Sequence, residues 1–303
     1  MISDRGTLVV IAGPTGSGKT DVGVELALRL GAPVISTDSR QVFRGMAIGT
    51  AQPSAVQQAA VRHYFIADRE VSDPYNAGRF EAEALTLLDT LFRTHAWVVA
   101  VGGSGLYIDA LCRGFDALPP TEPALRARLE ARLRDEGLDA LLAVLRRLDP
   151  VYYETVDRNN PSRILRAVEV CLQTGRPYSE QRSGEPKERL FRIVKIGIET
   201  PRDELYERID RRVDRMLAEG LEAEARALYP LRGCNALMTV GYRELFDYFD
   251  GTISREEAVR LIKRNSRRYA KRQMTWFRKD VDMKWFGRDE INSIENFCKK
   301  FAE

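Results

Sequence analysis

Histidine is nearly absent from this chain, which holds only His63 and His95. Cysteine is sparse: Cys112, Cys171, Cys234 and Cys298 stand far apart with no C-x-x-C pair. Two histidines are too few for a His-based metal site. The cysteine spacing suits reduced thiols in a cytosolic protein better than a disulfide framework or a zinc knuckle. No run of about eighteen apolar residues occurs, and no N-terminal stretch couples a basic segment to an apolar run and a small-residue cleavage site. A soluble, cytoplasmic protein that is not exported and engages no membrane is therefore expected. A dominant charge is lacking too, since 47 Lys and Arg against 44 Asp and Glu leave a formal net charge of +3. That balance decides nothing about a polyanionic partner; the distribution along the chain does. Apolar side chains, by contrast, make up 44% of the 303 residues, enough for one large core or a core plus a smaller unit.

Strand and helix signals alternate through the first third. Thr7 to Ala12 is an apolar run that ends in glycine, followed by Val22, Leu26 and Leu30 at helical spacing and by Gly31 where a helix would close. A second run, Pro33 to Thr37, leads into Asp38. A helical stretch spans Phe80 to Phe92, and a third run, Trp97 to Val101, ends in Gly102 and Gly103. Near-continuous apolar strands alternating with helices predict an α/β fold: a parallel sheet core with helices on both faces. After Asp116 the character changes. Leu118-Pro-Pro120 is a stop, and leucine stripes at 125, 129 and 133, then at 138 to 148, then Ile164, Leu165, Val168 and Leu172, read as helices closed by Gly175 and Pro177. Residues 118–188 are expected to be a helical insertion in a core made of 1–117 and 189–303. That core resumes with a strand at Phe191 to Glu199 and ends near a short strand, Met283 to Phe286. No apolar surface repeats in a way that announces an oligomer, so a monomer is expected.

The sharpest motif is GPTGSGKT: Gly13, Pro14, Thr15, Gly16, Ser17, Gly18, Lys19 and Thr20. It matches G-x-x-x-x-G-K-[ST] in full, after a strand and at the start of a helix. Average residue frequencies produce that pattern in roughly one chain of this size in a hundred, before the context is counted, so a phosphate grip is the stronger reading than a glycine-rich turn. Glycines let successive amides point at phosphate oxygens, the helix N-terminus adds partial positive charge, Lys19 neutralises the terminal phosphate, and Thr20 offers its hydroxyl to Mg²⁺. The motif specifies phosphate without specifying the ester. The third strand ends in Gly102-Gly103-Ser104, without the aspartate that holds magnesium in an NTPase. The carboxylate lies instead after the second strand, at Asp38, and residues past parallel-strand C-termini share one crevice. Lys19, Asp38 and Ser104 should converge there. A turn or N-cap aspartate is the plainer reading of Asp38; the chemical one is a base for an incoming nucleophile, beside a P-loop that binds a leaving group.

Between residues 263 and 279, Lys263, Arg264, Arg267, Arg268, Lys271, Arg272, Arg278 and Lys279 occur with no acid among them, interleaved with Tyr269, Trp276 and Phe277. Such a helix suits RNA phosphates and bases, and equally suits a solvated helix that buttresses the core through its aromatics. Trp276 and Phe277 are expected in the core. His63, beside Tyr64 and Phe65, reads as a structural hydrogen-bonder.

Six blocks in order carry a resemblance that spans nearly the whole chain: Gly13 to Thr20; Thr37 to Gln41 with Gly45-Met46 and Ile48 to Ala51; Gly102 to Tyr107; Pro161 to Glu169; Thr239 to Tyr242 with Glu244; and Tyr269 to Gln273 with Thr275 to Arg278. Together they resemble bacterial tRNA dimethylallyltransferases. The resemblance implies transfer of a dimethylallyl group from dimethylallyl diphosphate to N6 of the adenosine beside the anticodon of a tRNA. It makes the P-loop the diphosphate and Mg²⁺ site, with Asp38 taking the N6 proton. Ser39, Arg40 and Gln41 would lie along the tRNA anticodon stem-loop, and Ser104 would approach the flipped adenosine. Arg126, Ser162, Arg163, Ile164, Leu165 and Arg166 would touch tRNA from the insertion, and Arg212 would bind diphosphate. The chain departs from the usual pattern at Phe43, Ala47, Gln52, Tyr64, Gly105, Ser162 and Met238, while Ser104 stands where threonine is usual. Two other functions remain in view, a P-loop nucleoside or nucleotide kinase and a non-catalytic RNA-binding protein with ATP as structural ligand. The missing NTPase-type aspartate counts against the kinase, and the ordered blocks count against both.

Overall fold

A computed structural model describes residues 6–302, so residues 1–5 and 303 of the expected core lie outside it. The chain forms two compact units, one from Met1–Cys112 with Glu188–Glu303 and the other from Arg113–Lys187. The second begins earlier than the expected residue 118 because its two ends are laced together. The Lys187 amide donates to the Arg113 carbonyl at 2.7 Å, and Asp116 accepts from the Ser183 amide and hydroxyl.

In chain order the first unit opens with β1 (Thr7–Ala12), α1 (Lys19–Leu30), β2 (Val34–Ser36), α2 (Ala55–Ala60), β3 (His63–Tyr64), α3 (Ala77–Leu91), β4 (Trp97–Gly102) and α4 (Gly105–Cys112). The second unit contributes α5 (Pro123–Glu136), α6 (Leu138–Leu148), α7 (Pro150–Thr155) and α8 (Pro161–Thr174). The first unit then resumes with β5 (Arg192–Glu199), α9 (Arg202–Ala218), α10 (Leu221–Leu228), α11 (Tyr242–Phe249), α12 (Arg255–Phe277), β6 (Lys284–Gly287) and α13 (Ile291–Ala302).

All six strands pair in parallel in the order β3-β2-β4-β1-β5-β6. One face of the sheet buries Val9, Ile11, Val99, Val101 and Ile196 with Val22 and Leu26 of α1 and Ile294 and Cys298 of α13. Leu8, Val10, Val98 and Ala100, which alternate with them, are 0% exposed, so helices cover both sides. Gly31 closes α1 in the left-handed conformation that glycine adopts without a Cβ penalty. Several short elements, α2, α4 and α7 among them, were not expected, and neither were β3 and α13. β3 is only two residues long, too short for a periodicity, and α13 follows the strand at which the chain was expected to end.

In the second unit, Leu125 and Leu129 of α5, Leu141 and Leu145 of α6, and Ile164, Leu165 and Val168 of α8 form one buried cluster. Asp149 is fully buried yet satisfied, accepting from the Tyr152 and Ser179 amides and the Ser179 hydroxyl, and it starts α7 as an N-cap.

Candidate active site

The strand order puts the ends of β1, β2, β4 and β5 along one edge of the sheet, and the P-loop crosses it. Gly16 and Gly18 have φ of 85° and 88°, values a side chain at either position would strain. The turn they permit points the first amides of α1 at open space, since an N-terminus has no carbonyls preceding it. The loop is pinned from a distance in sequence. Gln273 of α12 accepts from the Thr15 amide and donates to the Gly103 carbonyl, both at 2.8 Å, so it bridges the P-loop to the loop after β4. A Cβ at Gly103 would stand 2.3 Å from that amide nitrogen, so the bridge requires glycine. Buried Ser17 has an Oγ with no hydrogen-bond partner among the described residues.

Asp38 fulfils the plainer reading of its position. Its Oδ1 accepts from the Arg40 amide at 2.9 Å and the Gln41 amide at 3.3 Å, which makes it a turn former. Its Oδ2 takes no hydrogen bond among the described residues. One oxygen fixes the orientation and the other is available for a proton. Ser104, 8% exposed, accepts from the Ser39 amide at 3.0 Å and donates to the Ser39 hydroxyl at 3.2 Å. It therefore joins the loops after β2 and β4.

These elements enclose a crevice of about 360 Å³. Thr15, Lys19, Thr20, Asp38, Ser39, Arg40 and Gln41 line one part, and Arg212, Arg243 and Arg272 add cations. Ile209, Val213 and Met216 of α9, Leu221 of α10 and Ile262 of α12 supply an apolar wall. Burial, and then the neighbouring Arg212 charge, lower the half-buried Lys19 ammonium to about 8, with Asp38 opposing both. Burial also lowers Arg212, which Asp38 partly counters, and lowers Arg40. Burial and the Asp38 charge push Tyr269 up to about 12, so it stays a neutral phenol. Five cations thus line a crevice with a single carboxylate, and that balance suits a polyanion. Thr20 offers the one hydroxyl at the start of α1, and among the described residues no cluster of three or more His, Cys, Asp or Glu side chains could cage a metal.

Several partners in this crevice escape a reading of the sequence. Glu224 of α10 accepts from the Ile48 and Gly49 amides and from the Tyr242 hydroxyl, pinning the segment that carries Thr50 and Ala51 into the lining. Nothing local in the sequence marks that acid. Gln41, expected along RNA, spends its side chain internally. Its Nε2 donates to the Thr50 and Ala51 carbonyls, and its Oε1 accepts from Ser36. Gln52 donates to the Gln41 and Phe43 carbonyls, and Phe43 is buried, so both departures serve packing. His63 lines the crevice and its Nδ1 bonds the Val61 carbonyl, as a structural hydrogen-bonder does.

The basic helix is divided. Lys263 and Arg267 pair with Asp214 and Asp210 of α9, and Arg278 pairs with Glu199 at the end of β5. Arg268, Lys271 and Lys279 are exposed without an acid partner among the described residues. Phe277 is 2% exposed, as expected of a core residue, but Trp276 is 40% exposed and does not belong to the core. It points away from the sheet because it lies on the α12 stripe of Tyr269 and Arg272, not that of Ala270 and Phe277.

The remaining candidates lie in the helical unit. Ile164 and Leu165 are 0% and 3% exposed within its core, so their side chains cannot reach RNA; the apolar periodicity of α8 outweighs the motif there. Arg166 is committed to Glu169 and to the Pro119 carbonyl, and Arg126 to Glu130 and Glu169. Ser162 and Arg163 are exposed, and Arg163 has no acid partner among the described residues.

The relatives of this chain share its length as well as its motifs. It is 56% identical over 280 residues to tRNA dimethylallyltransferase 2 of Porphyromonas gingivalis, covering 92% of this chain and 93% of that one. It is 49% identical over 288 residues to tRNA dimethylallyltransferase 2 of Parabacteroides distasonis, covering 95% and 96%. Among solved structures, the full-length tRNA isopentenylpyrophosphate transferase of Bacillus halodurans superposes with a TM-score of 0.73 at 39% identity, covering 98% of this chain and 97% of that one. The family model of the IPP transferases matches residues 41–280, from the turn held by Asp38 to the end of the basic helix. This chain belongs to the IPP transferase family.

Proposed function

We propose that this protein is a tRNA dimethylallyltransferase, joining the dimethylallyl group of dimethylallyl diphosphate to N6 of the adenosine beside the anticodon. The observation that carries the reading is one crevice in which five cations, a P-loop and an apolar wall surround a single oriented carboxylate. Family membership narrows the chemistry to prenyl transfer and sets aside the kinase and the non-catalytic alternatives.

The adenine amine is a weak nucleophile because its lone pair is delocalised into the ring. The bond that breaks joins allylic C1 to a diphosphate oxygen, so the site must stabilise charge that builds on the diphosphate. P-loop amides, Lys19 and Arg212 are placed to do so. As C1 leaves oxygen it bonds to N6, and the displaced N6 proton passes to Asp38 Oδ2. Ile209, Val213 and Met216 would cover the prenyl end. Ser39, Arg40 and Ser104 would receive an adenosine extruded from its loop, since a stacked base cannot reach a buried carbon. Thr20 would hold Mg²⁺, which when bound would neutralise charge on the diphosphate. A monomer acting on one tRNA completes the reading, checked by light scattering.

Mass spectrometry of tRNA incubated with dimethylallyl diphosphate, Mg²⁺ and enzyme tests the proposal. One dimethylallyl unit added at that adenosine is expected. Rapid ATP turnover with unmodified tRNA would sink it.

A further inference from the structure

A large aromatic side chain left on a surface and yet fixed in place is unusual, and Trp276 is both. It is 40% exposed, while its Nε1–H donates to Asp109 Oδ2 at 3.1 Å. The pyrrole half of the ring lies over the backbone of Gly105, the residue after Ser104. An ideal Cβ at Gly105 would stand 2.4 Å from Cδ1, 2.5 Å from Nε1 and 2.7 Å from Cγ. No other residue at 105 would let the indole lie there. The pyrrole edge is thus seated on the start of α4 while 40% of the residue stays exposed.

Its neighbours on α12 give the position meaning. Tyr269, Arg272 and Trp276 follow one another on a single helix face. Tyr269 lines the crevice, and the Arg272 guanidinium lies 5.7 Å from the Tyr269 ring centre and also lines the crevice. The stripe runs from the crevice wall outward, ring, guanidinium, ring. Exposed Arg268, Lys271 and Lys279 flank it without acid partners among the described residues. Flat π surfaces among unneutralised cations match a single-stranded nucleic acid, whose bases stack and whose phosphates are anionic. An apolar protein partner would meet too much unpaired charge here.

We propose that the Trp276 indole is a stacking platform for an unpaired base next to the adenosine that enters the crevice, with Gly105 setting the tilt of the ring. The proposal rests on the tRNA reading above and adds a base-binding site to it. Because the ring is already held by Asp109 and Gly105, stacking loses little rotamer freedom.

The test uses the full-length protein and an RNA stem-loop of anticodon sequence. Stem-loop binding should quench tryptophan fluorescence, and the quench should shrink sharply in Trp276→Phe. Trp276→Ala should raise KM for the stem-loop about 5- to 100-fold, with a smaller change in kcat, and Trp276→Phe should recover part of the loss. Gly105→Ala, which keeps the ring but lifts it, should also raise KM. With an abasic nucleotide beside the target adenosine, wild type and Trp276→Ala should converge, because the base they differ over is gone. If Trp276→Ala keeps normal KM and quench on a stem-loop that is bound and modified, the platform is wrong and the tRNA reading stands. If wild type neither binds nor modifies the stem-loop, both fall. A loss that persists undiminished with the abasic RNA would assign Trp276 a purely structural role and overturn the proposal.

Discussion

The crevice of the α/β unit and the surface of the helical unit are both rich in arginine, and they treat it in opposite ways. In the crevice, Lys19, Arg40 and Arg212 face Asp38 alone, and burial lowers each of the three. In the helical unit several arginines pair with acids instead. Arg132 pairs with Glu136, Arg158 with Glu154, Arg126 with Glu130, and Arg166 with fully buried Glu169. Partially buried positive charge left uncompensated costs stability, so it marks a place that an anion will complete. Charge paired at i, i+4 along a helix is mostly architecture. Arg163 of that unit is exposed and has no acid partner among the described residues.

The largest effect that can break this contrast is at its one carboxylate. Asp38→Asn keeps the turn-forming Oδ1 and loses the proton acceptor, so single-turnover transfer at saturating tRNA should slow about 10²- to 10⁴-fold while donor binding changes little. A near-normal rate would make Asp38 a positioning residue. Next comes Lys19→Gln, which removes a charge-assisted contact and should weaken inorganic diphosphate binding about 10- to 100-fold by calorimetry. The pH dependence has a definite sign. An anion selects the ammonium, and the folded ammonium is lost as pH rises through about 8, so wild-type affinity should fall above that pH and binding should take up a proton. Lys19→Gln should be flat across the same window. For the empty protein, the folded value near 8 against the ordinary 10.5 means that the fold disfavours the cation, so this group's contribution to stability rises with pH between the two.

On the architectural side the effects are smaller. Glu169→Gln leaves two guanidiniums around a neutral amide, and because both are partly exposed the cost should be about 1–2 kcal/mol of stability in denaturant titration. Prenyl-donor affinity should not move. Arg163→Ala should leave stability intact, raise KM for tRNA a few-fold, and flatten the salt dependence of log K by about one unit of slope. If Arg166→Ala instead raised KM without loss of stability, the division between paired and unpaired arginines would fail.

Much of this was legible in the chain because it is local. The P-loop needs glycines at adjacent positions, and β1, α1, β4 and α8 each show a period or cap within their own residues. β3, with two residues, and α7, with six, carry too little pattern to register. Trp276 was misplaced because an aromatic beside a core aromatic looks alike in sequence; which helix face each occupies depends on where α12 lies. Ile164 and Leu165 show the reverse, a motif match on residues whose periodicity already announced a core.

By itself, the sequence determined the glycine-rich P-loop, the parallel α/β character, the helical insertion and the presence of a carboxylate after β2, since each follows from backbone preference or hydrophobic period over a few residues. Only the tertiary structure decided which polar groups are spent and which are free. Gln273 is bound to the P-loop across 258 residues of chain, Glu224 holds Gly49 across 175, and Gln41 is consumed by carbonyls nearby. A hydrogen bond forms between groups brought together by the packing of whole elements, and no window of sequence contains both of its ends.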